Sequence, residues 1–283
     1  EFEAQYDVIR KKNWNWSVGF NLSHNKNMLR KTYNGEDLND KVLGRPVYGI
    51  YTFKDEGIVQ KEEDIPMYLN ASGKQIPLYF QSINNPLRVG GRKIKDQNYD
   101  GVIDDKDLYY AGSTLPAVYG GLNSHLEWKG LSFDVLFSYT ISRKVMNMYK
   151  NSAFTFTKDF GVIMNYFHSG DFWTTSNRDA KYPSLEFADK DYVGQFDGNV
   201  DSNIENISFL RLKQLVIGYQ IPKNWLKGSF IKDANVYLSG ENLFLLTNYS
   251  GVYPEIINPY SGKDDGTQYP LNRKVTLGLN LKF

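Results

Sequence analysis

From Lys274 to Phe283 the chain alternates without a break: Val275, Leu277, Leu279, Leu281 and Phe283 fall on one side, and Lys274, Thr276, Gly278, Asn280 and Lys282 on the other. A side-chain period of two is that of a β-strand, whereas a helix would scatter these apolar residues around its axis. The segment is therefore a strand with one apolar face, and the same signature recurs upstream. Trp14, Trp16, Val18, Phe20 and Leu22 alternate with Asn15, Ser17, Gly19, Asn21 and Ser23. Phe2, Ala4, Tyr6 and Val8 alternate with Glu3, Gln5 and Asp7. A hairpin over Ala117 to Ile141 turns at Lys129-Gly130 and places Val118, Leu122, Leu126 and Trp128 with Leu131, Phe133, Val135, Phe137, Tyr139 and Ile141. Ile207 to Ile221 and Ala234 to Phe244 complete the set. In the first of these Arg211 and Lys213 share parity with Leu215, Ile217 and Tyr219, which predicts a bulge or an interfacial strand end.

These seven strands are joined by two kinds of connection. Residues 10–13, 129–130 and 222–233 are short, whereas 26–116, 142–206 and 246–273 are long and polar. Alternation of short with long connections is the pattern of a transmembrane antiparallel β-barrel, with tight turns on the periplasmic side and extended loops outside. The parity assigns the apolar stretch Val47 to Val59 to a loop, as local β structure, rather than to the wall. A soluble β-sandwich also buries one face of each strand. Bulky aromatics at the strand ends, such as Trp14, Trp16, Trp128 and Tyr139, and loops of this length favour the membrane. Trp16, Val18, Phe20, Phe133, Val135, Phe137, Leu277, Leu279 and Leu281 are then expected to face lipid, and Asn21, Glu127, Asp134 and Asn280 the lumen.

Composition agrees. Mean hydropathy is −0.50 although aromatics make up 15% of the chain, as expected when only alternate strand residues are apolar. No run of apolar residues is long enough for a membrane helix, and Glu1-Phe2-Glu3 has neither the positive start nor the apolar core of a signal peptide. Lysine and arginine number 33 against 32 acidic residues, so the charge footprint for a nucleic-acid partner is missing. There is no cysteine, and His24, His125 and His168 share no metal-ligand spacing.

The sharpest local motif is Asp96-Gln97-Asn98-Tyr99-Asp100-Gly101-Val102-Ile103-Asp104-Asp105-Lys106-Asp107. It matches the twelve-residue calcium-loop template, with oxygen side chains at positions one, three, five, nine and twelve, glycine at six and a carbonyl at seven. The expected ligands of Ca²⁺ are Asp96, Asn98, Asp100, the Val102 carbonyl, Asp104 and Asp107. Aspartate at position twelve is one methylene shorter than the usual glutamate, which implies modest affinity. No nucleophile elbow, zinc-protease helix or glycine-rich phosphate cradle is present, so the sequence assigns no catalytic or cofactor-binding residue and predicts no enzyme. Tyr166, Phe167, Phe172, Trp173 and Tyr182 have two readings: stacking on a sugar or partner protein, or packing of the loop on itself. Asn206-Ile207-Ser208 opens a strand and is read as a chance glycosylation triplet.

Several separated motifs resemble one family. The stretch Ile207-Ser208-Phe209-Leu210-Arg211-Leu212-Lys213-Gln214-Leu215-Val216-Ile217-Gly218-Tyr219-Gln220-Ile221-Pro222 resembles the penultimate region of SusC-like TonB-dependent transporters. Val236-Tyr237-Leu238-Ser239-Gly240-Glu241-Asn242-Leu243-Phe244 and Tyr249-Ser250-Gly251-Val252-Tyr253-Pro254-Glu255 are similar to the adjoining segments of the same family. The segment Tyr269 to Asn280 is similar to the closing strand of the family. The acidic loop also has a counterpart, with Tyr99 where these proteins usually carry glycine. The resemblance implies an outer-membrane, multi-pass barrel of 22 strands, with residues 1–283 supplying strands 16 to 22. An N-terminal plug, the signal peptide and the TonB-contacting segment have no counterpart in the chain. It further implies a SusD-like surface lipoprotein as partner, outer-membrane lipid around the wall, and import of an oligosaccharide or peptide. The competing reading is a secreted, calcium-stabilised β-sandwich that binds glycans. Seven strands leave two open edges, so the rest of the barrel is expected to close the wall.

Overall fold

The computed structural model describes residues 1–38, 41–148, 168–188, 199–258 and 260–283. Seven long strands form one antiparallel sheet: β1 (Phe2–Lys11), β2 (Trp14–Ser23), β3 (Val118–Trp128), β4 (Leu131–Asn147), β5 (Ile204–Gln220), β6 (Asp233–Thr247) and β7 (Lys274–Lys282). Their spatial order is their order in the chain, a meander. A two-residue strand, Lys263–Asp264, adds in parallel beside Met146 and Asn147 of β4. The short connections therefore lie at one end of the sheet and the long ones at the other.

Register converts the alternation into faces. One row crosses all seven strands as Ile9, Trp16, Leu126, Phe133, Ile217, Leu238 and Leu277. The adjacent row on the other face is Arg10, Asn15, Glu127, Ser132, Gly218, Tyr237 and Gly278. A one-residue slip would exchange the two faces, so the pattern fixes the pairing strongly. Nothing among the described residues covers the apolar side: Leu277 is 76% exposed, Val275 67% and Leu279 58%. Leaving such side chains in water forfeits about 1.5–3 kcal/mol each. A sandwich would lay a second sheet on this face, and the described residues contain none.

Local conformation explains the departures from strict alternation. Lys129 and Gly130, at φ 49° and 88°, make the two-residue turn whose twist matches the flanking strands. In β5 the register shifts between Leu212 and Gln214, and the extra residue sends Arg211 opposite Ser138 while Leu210 and Leu212 join the apolar face. This is the bulge that the parity of Arg211 and Lys213 predicts. The strand β1 differs from the expectation. Its register shifts between Asp7 and Ile9, so Ile9 rather than Val8 sits opposite Trp16. β4 runs past Ile141 to Asn147, through a second irregularity between Thr140 and Arg143.

The larger buried cluster lies in the long connections rather than on the faces of the sheet. Leu78, Phe80, Leu87, Ile94, Ile103 and Val200 pack together, with Phe53, Ile65 and Tyr68 against them. A second cluster joins Val145, Ile207, Tyr249 and Ile257 at the tops of β4 and β5. Residues 47–59 supply two short strands here, Gly49–Thr52 paired with Tyr109–Ser113 and Asp55–Ile58 paired with Arg92–Ile94, outside the wall sheet.

Candidate functional site

The acidic loop folds as a run of side-chain-stabilised turns. Asp96 accepts from the N–H groups of Tyr99 at 2.7 Å and Gly101 at 2.9 Å. Asn98 Oδ1 accepts from the Asp100 N–H, Asp100 Oδ1 from that of Val102, and Asp104 Oδ1 from that of Lys106. Asp107, fully buried, closes the loop by accepting from Gln97 N at 2.7 Å and Asp104 N at 2.9 Å. Short polar side chains that bond their own backbone are what make such tight turns possible. Gly101 takes φ 86°, and Tyr99 takes φ 61°, the left-handed conformation that glycine adopts without cost.

The electrostatics follow from this wiring. Burial pushes the Asp107 carboxyl up, with its backbone hydrogen bonds pulling the other way. Asp100 is held below the usual carboxylate range by the Val102 N–H first, helped by Asn98 and Lys106. The Lys106 ammonium lies 3.6 Å from Asp100 and 3.7 Å from Asp104, occupying the space between two of the expected ligands. Among the described residues no three acidic or histidine side chains converge as the ligands of one ion would. The loop as it stands is satisfied by its own backbone and a lysine.

Next to it sits a polar cluster that no local sequence pattern marks. Asp201 accepts from Lys54 Nζ at 2.6 Å, Asp55 N at 2.9 Å and Tyr109 Oη at 2.7 Å. Burial acts to raise the Asp201 carboxyl, and these donors outweigh it, leaving it below the usual range. Burial likewise raises the Tyr109 phenol. Arg92 pairs with Asp55, both nearly buried, and Ser202 donates to the same carboxylate at 2.7 Å. Residues about 147 positions apart thus clamp residues 199–203 onto the packed long connections.

Of the loop aromatics, Phe172, Trp173 and Tyr182 are buried at 8%, 7% and 7% exposure. Trp173 Nε1 donates to Gln60 at 2.9 Å, and its ring lies over Gly90, where an added Cβ would come within 2.5 Å of it. Phe172 and Tyr182 pack their loop on itself, with ring centres 5.8 Å apart, whereas Trp173 packs across onto the first long connection. Tyr166 and Phe167 lie outside the described residues. At the tops of β4 and β5, Arg211 Nη1 lies 2.7 Å from Glu255 Oε2, and the Tyr249 hydroxyl donates to Asp264.

Comparison with known proteins places this architecture. No family model matches the chain. A TonB-dependent receptor of Formosa agariphila is 30% identical over 296 residues, covering 100% of the chain and 28% of that protein. SusC, a TonB-dependent receptor of Bacteroides thetaiotaomicron, is 26% identical over 287 residues, covering 100% of the chain and 26% of SusC. The RagAB peptide importer in its open-open state superposes with a TM-score of 0.67 at 25% identity, over 99% of this chain and 28% of that one. A second RagAB structure, at 22% identity and a TM-score of 0.68, supports the fold. The chain thus spans little more than a quarter of the relatives it matches. Its meander of seven two-faced strands is wall of an antiparallel β-barrel of the TonB-dependent transporter type. Within that class the chain is similar over its whole length to TonB-dependent receptors, SusC among them.

Proposed function

We propose that residues 1–283 form part of the wall of a multi-pass outer-membrane importer, with the long connections outside the cell and the short turns in the periplasm. The observation that carries this is the uncovered apolar row from Ile9 to Leu277, backed by a polar row on the opposite face. Every backbone group in hydrocarbon needs a partner, and a closed barrel is the β structure that supplies them all. The outer edges of β1 and β7 therefore pair with the remaining strands, in a barrel of 22, around an N-terminal plug that couples to TonB. A SusD-like lipoprotein caps the loops, and the cargo is an oligosaccharide or a peptide. The RagAB structures support the peptide, and the SusC relative supports the same machinery. The test is to delete the full-length gene, and separately to disrupt its TonB coupling, and follow uptake of labelled peptides and oligosaccharides. Loss of uptake of one class in both strains is expected; unchanged uptake of both would refute the reading.

For the acidic loop we propose a structural Ca²⁺, held by Asp96, Asn98, Asp100, the Val102 carbonyl, Asp104 and Asp107. The spacing supports it, and binding requires the ion to displace Lys106 from Asp100 and Asp104. Calcium titration of the full-length receptor, read by protection of the loop from proteolysis, should give saturable protection that Asp100→Asn abolishes. No calcium-dependent change would refute it.

A further inference from the structure

The short-turn end of the sheet carries a concentration of positive charge that neither the barrel reading nor the acidic loop uses. Lys11 and Lys12 lie at the first turn, Lys129 at the second, and Lys223, Lys227 and Lys232 at the third, all exposed. No acidic residue occurs from Arg10 to Trp14, from Trp128 to Leu131, or from Ile221 to Lys232. Among the described residues none of the six forms an ion pair. The nearby acids are engaged elsewhere: Asp7 lies 3.7 Å from Arg10, Glu127 accepts from Asn15, and Asp233 accepts from Gln220. The chain as a whole has a net charge of +1, so the remainder of the chain, without these six lysines, is net acidic.

Aromatic rings are interleaved with these lysines. The row nearest the turns that crosses all seven strands runs Lys11, Trp14, Trp128, Leu131, Tyr219, Val236 and Leu279. Lys129 Nζ stands 5.3 Å over the Trp128 ring. Beyond the row, Trp225 and Phe230 project at 73% and 78% exposure, although Phe230 stacks on Phe283 with ring centres 5.5 Å apart. The third turn is not a loose loop. The Lys232 N–H donates to the Lys282 carbonyl at 2.7 Å and the Ser229 hydroxyl to the Leu226 carbonyl at 2.9 Å, so its lysines are displayed from an anchored scaffold.

Rings that prefer the interface, flanked by ammonium groups on long apolar stems, match a layer whose polar groups are anionic and whose interior is hydrocarbon. We infer that this end of the sheet is a docking collar for an anionic phospholipid surface, engaging headgroup phosphates through its lysines while its aromatic rings sit at the glycerol level. The inference rests on the barrel-wall reading proposed above.

The test uses the full-length receptor in neutral detergent. Its thermal midpoint is measured with mixed micelles of phosphatidylglycerol, with phosphatidylcholine, and with inorganic phosphate alone. Phosphatidylglycerol should raise the midpoint more than phosphatidylcholine, with an advantage that falls as salt rises, and inorganic phosphate should have no effect. The triple variant Lys11→Gln, Lys223→Gln, Lys227→Gln should lose more than half of that advantage while keeping heat-modifiable electrophoretic mobility. Should it fail to fold, Lys12→Gln with Lys129→Gln serves the same purpose. Equal effects of the two lipids, an undiminished advantage in a folded variant, or a full effect from inorganic phosphate would overturn the collar and leave the wall intact. A receptor that stays folded and monodisperse without detergent would instead overturn the wall reading, and the collar with it.

Discussion

Asp201 draws three donors, Lys54, the Asp55 N–H and Tyr109, onto one carboxylate. Charged hydrogen bonds of this kind are worth about 1.5–3 kcal/mol each, so Asp201→Asn should destabilise the attachment of residues 199–203 by roughly that amount. Protection of the Phe53 amide, which donates to the Asn199 carbonyl at 3.0 Å, reports the attachment directly in hydrogen exchange. Its pH dependence has a defined sign. Asp201 is depressed in the folded state, so its contribution is present above the unfolded value of about 3.9 and is lost as pH falls through the folded one. Lys54 is raised, chiefly by its hydrogen bond to Asp201, so its contribution is present below about 10.4 and is lost as pH rises through the folded value. The wild-type clamp should weaken at both extremes, and in Asp201→Asn the acid limb should flatten. Tyr99 tests the backbone: at φ 61° it adopts a conformation that costs a non-glycine residue about 1–2 kcal/mol. Offset by the greater freedom of an unfolded glycine, Tyr99→Gly should stabilise the loop by about 0.5–1 kcal/mol, measurable as slower local exchange at Gly101.

At the scale of the strand, the two faces predict opposite sensitivities. Val135 lies in one row with Val18, Ser124 and Leu215 on the apolar side, whereas Asp134 pairs with His125 across the polar side at 2.5 Å. Val135→Arg should cost about 2–4 kcal/mol if it lies near the bilayer midplane. Asp134→Asn should cost about 1 kcal/mol through the weakened hydrogen bond. Denaturant unfolding of the full-length receptor in lipid separates them, and equal costs would contradict the assignment of faces. Strand positions and faces were legible because period two is written locally. The bulges were legible only where they left a parity conflict. Arg211 and Lys213 announced one, but nothing in Asp7-Val8-Ile9 did, since either Val8 or Ile9 satisfies an apolar face and only pairing with Trp16 selects Ile9.

At the scale of the molecule, the sheet ends in two edges, β1 and β7, each with backbone groups unpaired within the sheet. Unsatisfied groups in hydrocarbon cost several kcal/mol apiece, so a few of them exceed the roughly 5–15 kcal/mol that holds a domain together. Expressed alone and extracted in detergent, residues 1–283 should show no heat-modifiable band on electrophoresis. The full-length receptor should show one. A compact, heat-modifiable monomer from the segment alone would mean that β1 and β7 close on each other in a small barrel of their own.

What the sequence determined by itself was the seven strands, their two faces and the alternation of short and long connections, because side-chain direction in a strand depends only on position along it. It also placed the acidic motif in a long connection. The tertiary structure decided how those side chains are used. Asp107 turns onto Gln97 and Asp104, and Lys106 stands between Asp100 and Asp104. Asp201 finds Lys54, and Phe172, Trp173 and Tyr182 are buried. These outcomes turn on which donor or apolar surface the packed chain brings against each group. For partners far apart in sequence, composition and periodicity hold no record of that.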